Sequence, residues 1–205
     1  MSNLPVLARA SALVIRQQKE LLEVFTDFET KNRYAIQLPD GQTAFYAAET
    51  GGGAWAFITR SFLKARRPFT MDLLDPTGGM ALRLERPWTW FFSELHVRDA
   101  QGQRLGMIDQ RFAFLSRRFV ILDPTGRELA QIHGPLWRPW TFRILQPDGQ
   151  EVGRITKKWS GLLVEAFTDA DTFGVEMSPG MDARLRPLVL AATFLIDFLY
   201  FEDRD

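Results

Sequence analysis

A turn signal that recurs at nearly constant spacing constrains the fold of this chain more than any other feature. The four glycines that carry the signal are spaced by 24, 24 and 23 residues: Gly78, Gly102, Gly126 and Gly149. Each follows an Asp or Pro that favours a tight turn, and residues 39–41 form an earlier signal of the same kind. Runs of strand-forming residues, such as 119–122 and 129–132, flank the turns. This pattern predicts an antiparallel meander, closed as a barrel or folded as a sandwich.

The size and charge of the chain fit one domain over residues 1–205. Lys and Arg number 25 and Asp and Glu 25, so no overall field attracts nucleic acid, and we expect no nucleic-acid partner. The chain has no cysteine, which excludes disulfides, thiolate metal ligands and a cysteine nucleophile. The N-terminal stretch makes a poor signal peptide. We therefore expect a cytoplasmic protein, with peripheral contact at the inner face of the membrane left open.

The C-terminal segment predicts a helix near residues 184–201. Asp182 is a candidate N-cap and Pro187 suits a first turn, while the run from 188 to 196 is apolar on all sides. A bilayer span needs about 20 apolar residues, and Asp197 would be costly inside one. We therefore predict a core helix that fills the barrel rather than a membrane span. Its core positions are Leu188, Leu190, Phe194, Leu195, Ile196 and Phe198.

No catalytic constellation is recognisable. His96 and His133 lie in separate strand-like runs, and the chain has no metalloprotease, nucleophile-elbow or phosphate-loop motif. We predict that the protein is not an enzyme that makes or breaks covalent bonds, and that both histidines are strand or turn residues.

An acidic cluster at residues 168–175 is the candidate metal site. Asp169 and Asp171 supply carboxylates at alternating positions, and Gly174 is the sixth residue counted from Asp169, as in short calcium-binding loops. The twelfth position is Gly180, which has no carboxylate, so Asp182, two residues beyond, is the candidate ligand at this end of the loop. An ordinary Asp-type turn without metal is the alternative.

Basic runs are the candidate contacts for phospholipid headgroups. The alternative is that they are solvated strand edges that discourage pairing with other chains. Trp55, Phe57, Phe62 and Phe69 interleave with the second run, either as interfacial residues or as core. The candidate headgroup residues are Lys31, Arg33, Arg60, Lys64, Arg66, Arg67, Arg154, Lys157 and Lys158.

Several motifs in order resemble the phospholipid scramblase family from about residue 13 to residue 202. The opening motifs are QQKELLEV at 17–24 and FETKNRY at 28–34, and the middle ones are AAE at 47–49, RPFT at 67–70 and LERP at 84–87. The closing motifs are WSG at 159–161, EAFTDADTFG at 165–174 and FLIDF at 194–198.

The resemblance implies a fold shared with tubby-like C-terminal domains. This fold is a closed antiparallel barrel of about twelve strands around one hydrophobic C-terminal helix. It further implies membrane association and Ca²⁺-dependent, non-selective movement of phospholipids across the bilayer. The family's calcium role carries over to the carboxylates of Asp169 and Asp171 and to the backbone of Phe173 and Val175. The cysteine cluster that carries lipid in animal members is absent here.

Two functions remain open at this point. The first is a scramblase-type protein whose partner is the phospholipid membrane surface. The second is a tubby-like barrel that binds a phosphoinositide headgroup or a protein partner without moving lipid. A homo-oligomer is compatible with either function.

Overall fold

The computed structural model describes residues 5–18, 32–50, 68–157 and 172–201, which form twelve strands and two helices. The elements are α1 (Pro5–Arg9), β1 (Ala12–Gln17), β2 (Arg33–Gln37), β3 (Thr43–Thr50), β4 (Phe69–Leu74), β5 (Met80–Arg86), β6 (Glu94–Asp99), β7 (Arg104–Arg111), β8 (Ser116–Leu122), β9 (Glu128–Pro135), β10 (Thr141–Leu145), β11 (Glu151–Thr156), β12 (Thr172–Met177) and α2 (Leu185–Tyr200). Each strand pairs antiparallel with the next along the chain, and β1 pairs with β12, which closes the barrel. The predicted closed antiparallel barrel with one C-terminal helix is confirmed, and the sandwich alternative is excluded.

Five tight turns connect strands at one end of the barrel, which we call the turn end. Each turn places one glycine at a φ between 78° and 87°, a conformation that costs glycine little. In the turn between β4 and β5, Asp75 Oδ1 accepts hydrogen bonds from the backbone N–H of Thr77 at 2.8 Å and of Gly79 at 2.9 Å. The hydrogen bond from the Thr77 hydroxyl contributes most to lowering the pKa of Asp75. The recurring turn signal therefore sets the strand boundaries at this end.

Helix α2 occupies the interior of the barrel. Of its 16 residues, 14 are buried, and the six predicted core positions are each at most 3% exposed. The Phe198 ring stacks on Phe69 at 4.1 Å between centroids, and the Phe194 ring meets Tyr34 edge-on at 5.2 Å. Phe69 is therefore a core residue and not an interfacial one. In the described parts of the chain, neither helix has the length and apolar character to cross a membrane.

The N-terminal end of α2 differs from its prediction. The N-cap is Arg184, which makes no capping hydrogen bond through its side chain, and the predicted cap at Asp182 is wrong. Asp182 instead accepts the backbone N–H of Arg184 at 2.9 Å and pairs with its guanidinium at 2.7 Å. These contacts form a turn before the helix, which begins three residues after Asp182.

A buried arginine attaches α2 to the N-terminal segment. Arg186 is 4% exposed and donates to the backbone carbonyls of Leu7, Ala10 and Ser178. The positive end of a helix dipole disfavours a cation, and hydrogen bonds to three carbonyl oxygens offset that cost. Arg186 thus holds α1 and the end of β12 against the helix at the turn end.

Gly106 in β7 packs closely against β8 and α2. A Cβ atom at this position would overlap the Leu122 carbonyl oxygen and lie 2.9 Å from Leu188 Cδ1. We expect Gly106→Ala to lower the free energy of unfolding by about 1–3 kcal/mol, because an added methyl in a packed core strains its neighbours. Urea unfolding measures the change. Gly180→Ala is the matched control, since a Cβ there meets nothing within 4 Å, and an equal loss in both variants would contradict the packing.

Candidate functional site

The end of the barrel opposite the turn end carries exposed aromatic side chains on three loops. These aromatic loops are residues 87–93, 112–115 and 136–140, and we call this end the aromatic end. The loops are neighbours, because they connect consecutive strands from β5 to β10. All large apolar side chains that are exposed in the described residues lie here: Trp88, Trp90, Phe91, Phe92, Phe112, Phe114, Leu115, Leu136, Trp137 and Trp140.

Exposure of this extent indicates a contact surface. Phe91 is 82% exposed, Phe114 85% and Trp137 72%. Single exposed apolar residues are ordinary on a protein surface, but a contiguous set of them marks an interaction site. Tryptophan is enriched where membranes meet water, because its ring is apolar and its N–H can hydrogen-bond. The loop compositions therefore suit contact with a lipid surface.

A network of hydrogen bonds anchors the first aromatic loop to the barrel wall and to α2. Buried Arg86 donates to Ser93 Oγ at 2.7 Å. Ser93 and Gln110 then bond each other twice, because the Ser93 N–H donates to Gln110 Oε1 at 3.1 Å and the Gln110 N–H donates to the Ser93 carbonyl at 2.8 Å. The Gln110 amide also donates to the hydroxyl of Tyr200 at 3.2 Å. This network ties the loop to the last residue of α2.

Arg117 ties the third aromatic loop to the same tyrosine. Its guanidinium donates to the Pro139 carbonyl at 2.7 Å and lies over the Tyr200 ring, 4.6 Å from the centroid. The Phe142 ring lies nearby, 5.4 Å from the guanidinium carbon. Burial raises the pKa of Tyr200, against the opposing effect of Arg117. Helix α2 therefore supports the aromatic end, and the loops that it supports are preorganised for contact.

Basic residues form a row across the outer wall beside the aromatic loops. Strand register places them opposite one another on the five neighbouring strands from β7 to β11. The row consists of Arg111, Arg118, His133, Arg143 and Arg154. It lies in the half of the barrel nearer the aromatic end, since Arg111 directly precedes an aromatic loop. Cationic side chains thus border the apolar surface.

A groove of about 410 Å³ opens at the β9–β11 end of this row, and we call it the arginine groove. Its lining includes His133, Thr141, Arg143 and Arg154, together with Trp137 and Arg138 of the third aromatic loop, Pro135, and Glu151. Glu151 accepts from Arg143 Nε at 2.6 Å and from Arg154 Nη2 at 2.8 Å. Burial acts to raise the pKa of Glu151, but these arginine hydrogen bonds outweigh it and the pKa is lowered. The carboxylate therefore stays ionised and orients both guanidinium groups.

Asp197, the acidic residue of helix α2, has partners inside the barrel. Tyr34 donates to its Oδ2 at 2.8 Å, and Lys157 Nζ lies 3.8 Å from its Oδ1. The Lys157 ammonium also lies over the Phe201 ring at 4.7 Å and the Phe173 ring at 5.3 Å. A carboxylate near the C-terminal end of a helix opposes the helix dipole, so these partners offset an otherwise unfavourable position. Asp197 is accommodated in protein and does not require lipid.

Two of the five predicted calcium ligands, Asp169 and Asp171, lie outside the described residues. Phe173 and Val175 lie within β12, where Val175 is opposite residues of both β1 and β11. Val175 therefore lies between two paired strands, and Phe173 lies opposite Ile15 of β1.

Asp182, the fifth predicted calcium ligand, lies beyond the other end of β12. From Phe173 the strand runs four residues further to Met177, about 13 Å at 3.3 Å per residue, and Asp182 follows Met177 at that far end. The Arg184 guanidinium lowers the pKa of Asp182 and occupies its carboxylate. Within the described ranges no cluster of acidic or histidine side chains could hold a metal ion. The three described residues do not converge, and a calcium site centred on Asp169 and Asp171 stays a prediction.

Only three of the nine predicted headgroup residues lie in the described part of the chain. Lys31, Arg60, Lys64, Arg66, Arg67 and Lys158 lie outside the described residues, as do Trp55, Phe57 and Phe62. Arg33 is 7% exposed, and Lys157 approaches Asp197 inside the barrel, so neither side chain is placed to meet a headgroup at the surface. Arg154 alone of the described three lies on the outer wall, in the arginine groove. His96 and His133 are strand residues, as predicted.

The sequence does hold a signal for the aromatic loops. In an up-and-down barrel, alternate connections lie at opposite ends. One set of connections carries the glycine turns, and the other set carries RPWTWFF, FAFL and LWRPW, at 86–92, 112–115 and 136–140. Aromatic residues in every second connection therefore predict one apolar end, once the meander is assumed.

Comparison with known proteins identifies the family of the chain. The family model described as Scramblase matches residues 1–203. Phospholipid scramblase 1 of Mus musculus is 34% identical, over 98% of this chain and 64% of that protein. Phospholipid scramblase 2 of Bos taurus is also 34% identical, over 98% of this chain and 71% of its own length. Phospholipid scramblase family member 5 of Homo sapiens is 27% identical, over 98% of this chain and 77% of that protein.

The chain spans less than two thirds of the mouse relative, so part of that protein has no counterpart in the alignment. No solved structure matches the chain.

Proposed function

Because the chain belongs to the scramblase family, we propose that it binds phospholipid membranes through the aromatic end and moves phospholipids between the two leaflets. The carrying observation is that every exposed large apolar side chain in the described residues lies at this end. Family membership, and the names of relatives 34% identical to this chain, support phospholipid as the substrate. The activity moves lipid without making or breaking a covalent bond.

The filled barrel bears on the route that lipids would take. Helix α2 fills the interior, so a headgroup has no path through the barrel. Emptying the core would expose apolar area at about 25 cal/mol per Å², which makes helix release unfavourable in water. The route that we propose runs along the outer wall, where inserted aromatic side chains disturb lipid packing and the basic row contacts headgroups.

A second function is favoured by the same burial of α2. In this alternative the barrel binds a phosphoinositide headgroup or a protein partner, and lipid does not cross the membrane. The aromatic end and the basic row serve binding alone in this case.

Lipid exchange in reconstituted vesicles separates the two functions. The protein is incorporated into vesicles that contain a fluorescent phospholipid, and dithionite bleaches the label on the outer leaflet. With the protein present, we expect dithionite to bleach more than the outer-leaflet share of the label, because labelled lipid reaches the outer leaflet faster than in protein-free vesicles. Runs with Ca²⁺ and with a chelator test the predicted calcium dependence. Vesicle binding with exchange at the protein-free rate would contradict lipid movement and leave the binding function.

A further inference from the structure

We propose that the arginine groove binds the phosphate group of one phospholipid headgroup while the aromatic end contacts the bilayer. This inference rests on the proposed function, because it names the part of the lipid that the outer wall would hold. It assigns a site to residues of β9, β10, β11 and the third aromatic loop.

The groove carries a net positive charge. Arg138, Arg143 and Arg154 contribute three positive charges, and Glu151 contributes one negative charge. Arg143 bonds Glu151 through Nε, so within the described residues its two terminal nitrogens are left for a second acceptor. Arginine is suited to phosphate because its planar guanidinium presents paired N–H donors to two oxygens.

The groove also supplies hydrogen-bond donors other than arginine. Thr141 offers a hydroxyl, and the His133 ring lies in the row between Arg118 and Arg143. Both can donate a hydrogen bond to a phosphate oxygen. A volume of about 410 Å³ is large enough for a glycerophosphate group. The combination of fixed cations and hydroxyl donors matches a phosphate better than an uncharged ligand.

The position of the groove favours a lipid as the source of that phosphate. Trp137 and Arg138 line the groove and belong to the third aromatic loop. When Trp137 enters the membrane interface, the groove beside it lies at the depth of the headgroups. A lipid phosphate would then reach the groove without leaving the bilayer surface.

A pair of substitutions tests the groove against a charge-matched pair. Arg138→Gln with Arg143→Gln removes two charges from the groove, and Arg98→Gln with Arg127→Gln removes two from the other half of the barrel. Arg98 is 41% exposed in a surface ion pair with Glu85, and Arg127 is exposed in a turn. Binding is measured by flotation with phosphatidylcholine vesicles that do or do not contain phosphatidylserine, and urea unfolding checks that both pairs fold.

We expect the groove pair to weaken binding to phosphatidylserine-containing vesicles about thirtyfold, from about 1 kcal/mol for each basic residue near the surface. The control pair is expected to change binding less than threefold, because salt screens charges beyond about 8 Å. An equal loss of binding in the two pairs would show a general effect of net charge and would overturn the proposed phosphate site.

A titration with a soluble phosphate distinguishes failure of the groove from failure of the proposed function. Glycerol 3-phosphate is added to the wild-type protein without vesicles, and amide shifts are followed by NMR. We expect shifts at His133 and Thr141 that are lost in the groove pair. If these amide shifts occur but the protein does not bind vesicles, the groove is a phosphate site whose ligand is not a membrane lipid. Absence of these shifts would overturn the site, even if lipid exchange occurs.

Discussion

Replacement of Trp90, Phe91 and Trp137 by serine is expected to weaken binding to phosphatidylcholine vesicles at least a hundredfold. The three side chains are 69%, 82% and 72% exposed, so they contribute little to the fold and are placed to meet a partner. An aromatic side chain can bury about 150–250 Å², at about 25 cal/mol per Å². If partial burial of each side chain in the membrane contributes only about 1 kcal/mol, the three together contribute about 3 kcal/mol, which is about a hundredfold in affinity.

A conservative triple variant is the control for this result. Trp90→Tyr, Phe91→Tyr and Trp137→Tyr keep aromatic rings that suit the interface, and we expect binding within tenfold of wild type. Urea unfolding of the serine variant should match wild type within about 0.5 kcal/mol, as for other exposed positions. Unchanged vesicle binding of a folded serine variant would show that the aromatic loops have another partner.

Asp197→Ala is expected to lower the free energy of unfolding by about 3–5 kcal/mol. The substitution removes the acceptor of the Tyr34 hydroxyl and the carboxylate that Lys157 approaches at 3.8 Å. Loss of one partner of a buried ion pair leaves the other charge poorly compensated, and this is the main cost. Urea unfolding followed by circular dichroism measures the change.

Glu85→Ala is the matched control for Asp197→Ala. Glu85 pairs with Arg98 on the outer wall, where the two side chains are 39% and 41% exposed. An exposed pair contributes about 0–1 kcal/mol, so the control should lose less than that. A loss below about 1 kcal/mol in Asp197→Ala would indicate that Asp197 does not lie in a packed interior.

The fold was predictable because its signals are local. A tight turn depends on a few neighbouring residues, and the same Asp and Gly pattern repeats at each hairpin of the turn end. Apolar character on all sides of the 188–196 run required burial of the helix, and a closed barrel provides the interior. The N-cap was missed because Asp182 bonds Arg184 in a preceding turn, a choice between two local geometries that composition does not distinguish.

The site was less predictable because it depends on which connections share an end of the barrel. Aromatic residues at 88–92, 112–115 and 136–140 are far apart in the sequence, and only the strand order makes their loops neighbours. For a related reason, the basic runs do not by themselves identify which side chains reach the surface. Arg33 and Lys157 occur in basic stretches, yet strand geometry directs one into the barrel wall and the other toward Asp197.

Environment-sensitive labels at the two ends of the barrel test most directly whether the aromatic end meets the membrane. The chain has no cysteine, so Phe114→Cys and Thr125→Cys each create one labelling site, at the aromatic end and the turn end. With phospholipid vesicles, the fluorophore at position 114 should shift to shorter wavelength and increase in intensity, and the fluorophore at position 125 should not change. A shift at position 125 without one at position 114 would contradict membrane contact through the aromatic end.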